Sequence, residues 1–107
     1  SATKVSFMAV KIVMSWNVRP ETESEYFEFL VHEFIPGLNQ LGIREIQVWY
    51  TAFGDCEQKV ASGITEQVEQ MQKALNDEAW LRLKDRLEQY VVDYQQKVIE
   101  GTRGFQI

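Results

Sequence analysis

Met8-Ala9-Val10-Lys11-Ile12-Val13-Met14-Ser15-Trp16 is apolar at every position except Lys11 and Ser15. A strand with one wet face alternates apolar and polar residues; one that does not alternate needs an apolar neighbour on each side. The even row, Met8, Val10, Ile12, Met14 and Trp16, is the greasier and is assigned to a layer of helices. The odd row, Val5, Phe7, Ala9, Lys11 and Val13, then faces something else, with Lys11 in its middle.

The flanking sequence supplies the helices. The first strand spans residues 4–17 and ends at Arg19-Pro20, because proline cannot donate to a central ladder. Thr22 and Glu25 form a capping-box pattern, after which Phe27, Leu30, Val31, Phe34, Leu38 and Leu41 follow at helical spacing. That helix is expected to be interrupted near Pro36-Gly37 and stopped by Gly42. Residues 43–53, IREIQVWYTAF, read as a second strand with Ile46, Val48, Tyr50 and Ala52 on one face and Gln47, Trp49, Thr51 and Phe53 on the other.

Gly54-Asp55 turns the chain into a third strand, hairpin-paired with the second and running to about Ile64. Its composition, CEQKVASGI, is the least apolar and predicts the shortest or most exposed strand. Thr65 is placed to cap a helix over residues 66–75, with Val68, Met71 and Leu75 as its stripe. Asn76-Asp77 split this second helix, and Trp80, Leu83, Leu87, Tyr90, Val91 and Tyr94 continue it at spacings of three and four to about Gln96. Residues 97–107 read as the last strand, with Gly101 and Gly104 marking bulges.

The 107 residues suit a single domain, 1–107, and 45% hydrophobic with 25% charged residues is ordinary globular composition. No apolar run approaches the roughly 20 residues of a membrane span, and no secretory leader pattern opens the sequence. The lone Cys56 cannot form an intrachain disulfide, which fits a cytoplasmic location. Flanked by Asp55 and Glu57, it lacks the positive field that activates a thiolate. Eleven Lys and Arg against 16 Asp and Glu give a net charge of −5, a sign that repels phosphate backbones and argues against nucleic acid as a partner. Glu21, Glu23, Glu25, Glu28 and Glu33 gather around the first helix, where acidic residues complement the helix dipole.

The order β-α-β-β-α-β is the split-βαβ, ferredoxin-like arrangement of an α+β fold, a four-stranded antiparallel sheet with both helices on one face. The other sheet face is bare in one chain, and an apolar face of this size is an exposed patch of several hundred Å². A second copy related by a two-fold axis is the economical cover, its sheet curling round the first into a shared barrel.

The element order, the LNQLGIREIQVWY transition, the WLRLKDRLEQYV stripe and the terminal strand resemble small proteins of the dimeric α+β barrel superfamily. This group includes antibiotic-biosynthesis-type monooxygenases, EthD-like and NIPSNAP-like proteins, muconolactone isomerases and chlorite-dismutase relatives. The resemblance covers nearly the whole chain on pattern alone. It implies a homodimer, a cavity in each subunit or in the barrel, and no obligatory cofactor; functions on this fold diverge widely. Haem-binding relatives hold iron through a histidine; no alignment puts His32 at that position, and a haem site stays the minor alternative to the expectation of no cofactor. Cofactor-independent monooxygenases of the group use a shaped pocket with Asn, Trp or His; Asn17 ends the first strand here without the accompanying pattern.

There is no phosphate-binding glycine loop, HExxH, paired CxxC or GxSxG, so the sequence carries no sharp catalytic motif and no metal site is expected. His32, the only histidine, shares a small helical row with Phe29 and Pro36 and is either a surface or interface residue or an acid/base group at a pocket mouth. The candidate ligand-pocket set is Lys11, Gln47, Trp49, Arg103 and His32, with Lys59 as an addition, because convergent polar groups in an apolar wall make a small-molecule pocket. Lys11 is expected to pair with Glu45, Glu57 or Glu100, to reach a pocket mouth, or to hold an anionic ligand. Two functions follow: a dimeric enzyme of monooxygenase or isomerase type acting on a hydrophobic, anionic substrate, or a non-catalytic dimer that binds a ligand or protein with Lys11 in a structural ion pair.

Overall fold

The computed structural model describes the backbone of residues 7–53 and 56–103, with side chains over residues 9–51 and 58–100. Strand β1 (Phe7–Val18) leads through a 3₁₀ turn (Pro20–Thr22) into α1 (Glu23–Phe29), a π-helical turn (Leu30–Phe34) and α2 (Ile35–Gln40). Strands β2 (Arg44–Phe53) and β3 (Cys56–Thr65) follow, then α3 (Val68–Leu75), α4 (Glu78–Leu87) and β4 (Val91–Arg103). The sheet is antiparallel in the order β2-β3-β1-β4. This is the ferredoxin-like topology, and the second helix is split as expected.

The even row of β1 decides where the core lies. Val10, Ile12, Met14 and Trp16 are all fully buried beneath the helices, against Phe34, Leu38, Met71, Trp80 and Leu87. Each such side chain is worth about 1.5–3 kcal/mol of burial. The molecule is only 19 Å deep, the thickness of one sheet plus one layer of helices, so the second sheet face has no cover among the described residues.

The first helix departs from its expected phase. Tyr26, Phe29, Leu30 and Phe34 face the core, while Phe27 (61%) and Val31 (41%) are exposed. Phe29 is thus a core residue, packed against Phe34 and Tyr90, rather than part of a surface row with His32. The interruption falls one turn ahead of Pro36: the Ile35 N–H bonds the Leu30 carbonyl five residues back, a widened turn before a residue that has no N–H to continue the regular ladder. Thr22 makes no capping box; its hydroxyl donates to the Arg19 and Tyr90 carbonyls.

Two further expectations are corrected. Strand β3 shares the shortest length, ten residues, with β2 but is not the most exposed: it is central, with Ala61, Ser62 and Gly63 buried. Small residues are needed there because a Cβ on Gly63 would lie 2.4 Å from Ile43 Cγ2 and 2.7 Å from Ile46 Cδ1. Helix α3 starts at Val68 and is capped by a Gln67/Gln70 capping box instead of Thr65. Asp77 does cap α4, accepting from the Ala79 N–H at 2.8 Å.

The largest displacement is at β4, which begins at Val91 and not near residue 97. The chain turns at Glu88–Tyr90, where the Tyr90 carbonyl accepts from the Arg19 N–H (2.9 Å) and the Thr22 hydroxyl (3.0 Å). A register shift between Ser15 and Asn17 meets the left-handed Asp93 (φ 59°), whose carboxylate accepts from the Asn17 amide at 3.2 Å. A second bulge, between Arg44 and Gln47, holds left-handed Glu45.

Candidate functional site

Register alone maps the sheet face turned away from the helices, because directly paired residues point to the same side. One row across the strands runs Arg44-Ile64-Lys11-Ile99, the next Gln47-Ser62-Val13-Lys97, and the next Trp49-Val60-Ser15-Gln95. Trp49 (41%) and Ile99 (45%) are substantially exposed on this face. Ser62, flanked by Gln47 and Val13, is buried even so. A shallow depression of about 220 Å³ opens along β1 and β4, lined by Val13, Ser15, Gln95, Gln96 and Lys97.

Lys11, Gln47 and Trp49 therefore share the face expected of them, but one chain does not bring them into a single cluster. Lys11 and Trp49 lie two strands and two rows apart, about 16 Å by strand geometry. Lys59 is on the opposite face: it pairs with Trp16 and Tyr50, and its ammonium lies 5.0 Å from the centre of the Tyr50 ring. Arg103 pairs with Phe7 through the backbone, and its side chain lies outside the described residues, as do those of Cys56 and Glu57.

His32 is far from this face. It is exposed on the π-helical turn, with Nε2 3.5 Å from Glu28, between two surface grooves of about 390 and 490 Å³. The neighbouring Glu33 is held by Arg86 from α4 through both guanidinium nitrogens. No group of three or more His, Cys, Asp or Glu residues is placed to hold a metal ion among the described residues.

Lys11 forms no ion pair among the described residues. Of its expected partners, Glu100 stands opposite Val10 and so belongs to the helix-side row. Arg44 stands across Ile64 from Lys11, and Glu45 follows it in the β2 bulge with no paired residue on β3. The sequence reading missed Lys97. It stands opposite Val13, diagonal to Lys11 on the adjacent strand, about 7–8 Å away by sheet geometry. Starting the last strand at residue 97 concealed it; the shared parity of Lys97 and Ile99 within VVDYQQKVIE was the available signal.

The helix side of the sheet is filled with aromatic rings. Trp16 donates its indole N–H to the Tyr26 hydroxyl at 3.1 Å, stacks on Tyr94 at an interplanar angle of 6°, and meets Phe34 edge-on. Burial raises the pKa of Tyr26, partly offset by the hydrogen bond from Trp16. Burial, with the charge of Glu88 adding to it, holds Tyr94 well above the usual phenol range.

No protein-family model matches the sequence, and no curated protein matches it. Solved structures do. SnoaB of Streptomyces nogalater, a cofactor-independent oxygenase, superposes with a TM-score of 0.70 at 13% identity, over 92% of this chain and 98% of that one. A Deinococcus radiodurans protein provisionally assigned as an antibiotic biosynthesis monooxygenase gives 0.71 at 15% identity, over 92% and 97%. An uncharacterised NIPSNAP domain protein of Burkholderia xenovorans gives 0.62 at 13%, over 84% and 91%. The fold is the ferredoxin-like one shared by these proteins. No helix among the described residues is long and apolar enough to cross a membrane.

Proposed function

We propose that this chain is a homodimeric small-molecule-binding protein whose open sheet face packs against that of a second copy and holds a hydrophobic ligand between them. The observation that carries the reading is the uncovered face itself, with Trp49 and Ile99 exposed beside Val13, Val60 and Ile64. Exposed contiguous apolar surface of this kind marks an interaction site. Val92, exposed and paired with Asn17, extends the patch along the β4 edge.

The reaction we assign to such a site is oxygenation without a cofactor, on the precedent of the SnoaB fold. A substrate methylene beside an electron-rich ring then gives four electrons and its two hydrogens to O₂, one oxygen atom becoming a carbonyl on that carbon and the other leaving as water. This asks the protein for apolar enclosure and a few polar contacts, which the face offers in Gln47, Ser15 and Gln95.

Native mass spectrometry of the protein purified from its own source tests the reading. A two-chain species carrying an added small-molecule mass, released when the chains separate, is expected. A bare single chain contradicts it.

A further inference from the structure

The open face is cationic in an acidic protein. Among the described residues its rows carry three cationic side chains, Arg44 on β2, Lys11 on β1 and Lys97 on β4, and only Arg44 is held by a carboxylate. The nearby acids are otherwise placed: Glu66 holds Arg44 at 2.9 Å, Asp93 accepts from Asn17, and Glu100 is on the other face. Neither lysine has an ion pair among the described residues. If a second sheet covers this face, it brings the same two lysines, which have no ion pair among the described residues, and desolvating ammonium groups without a counter-charge is costly.

We propose that the ligand is an organic carboxylate with an apolar body, its carboxylate set between Lys11 and Lys97 and its body lying in the depression over Val13 and Ser15. The diagonal spacing of the two lysines allows one oxygen of a carboxylate to meet each ammonium, and Gln95 supplies an amide donor at the rim. The inference rests on the dimeric binding reading above, and supplies the charge that reading leaves uncompensated.

Calorimetric titration with 1-naphthoate and its neutral isostere 1-naphthamide tests it, with the mass measured by light scattering on the same samples. Wild-type protein is expected to prefer naphthoate by about tenfold or more, the worth of one charge-assisted hydrogen bond. The preference is expected to vanish in Lys11→Gln/Lys97→Gln, through weaker binding of naphthoate. Equal affinity for the two probes, binding of neither, or a preference that survives the double substitution overturns the assignment. A monomer that retains the lysine-dependent preference retires the two-copy reading alone; a dimer without the preference retires the carboxylate site alone.

Discussion

The indole N–H of Trp16 and the hydroxyl of Tyr26 meet at 3.1 Å inside the core, joining the central strand to the first helix by a polar contact between two buried rings. Buried polar atoms are costly when unpaired, and this contact spares both. Tyr26→Phe removes the acceptor while keeping the ring. It is expected to lower unfolding free energy by about 1–3 kcal/mol in urea titrations. Wild-type stability in Tyr26→Phe would mean that the contact contributes nothing.

The same tyrosine, with Tyr94, makes stability fall at alkaline pH. Both phenols have raised pKa values in the fold, so the unfolded chain loses its protons first. Their contribution is complete below the ordinary tyrosine pKa of about 10 and is lost as pH rises toward the folded values. Urea midpoints measured from pH 8 to 11 should hold level and then decline above about 10, more steeply than in Tyr94→Phe. An identical profile in that variant would sink the assignment.

Gly63 offers a packing test. Ile43 Cγ2 stands where a Cβ would go, so Gly63→Ala forces the β3 backbone and Ile43 apart. A loss of about 1–3 kcal/mol is expected, the usual cost of overpacking. Gly42, at φ 93° with nothing near its Cβ position, should also resist alanine, but through backbone strain. A thermal midpoint unchanged in Gly63→Ala would show that the sheet and the Ile43 loop are less tightly packed than described.

What was legible in the sequence follows from where local pattern and tertiary structure agree. Both rows of β1 are apolar, and alternation places even and odd residues on opposite faces whatever else the chain does. Gln47 and Trp49 are located by the same parity. The start of β4 was not legible, because Tyr90, Val91 and Tyr94 continue the helical spacing of Leu83 and Leu87; the turn that ends the helix is fixed by Arg19 and Thr22, some seventy residues away in the chain. Lys59 was misplaced because its face depends on hairpin register, which sets it opposite Tyr50. Phe27 and Phe29 compete for the core at nearly equal hydrophobicity, and only packing against Phe34 and Tyr90 selects Phe29. The gap between Lys11 and Trp49 is likewise a property of strand order, which no local pattern contains.

The most direct measurement is the molar mass of the wild-type protein and of Ile99→Lys by size-exclusion chromatography with light scattering at micromolar concentration. Ile99 is exposed in the single chain, so lysine there leaves the fold intact while placing a new charge in the proposed contact. The account predicts twice the chain mass of 12.5 kDa for the wild type and the single-chain mass for the variant, with unchanged circular dichroism. A wild-type protein that elutes as a monomer, or a variant that remains paired, would contradict it.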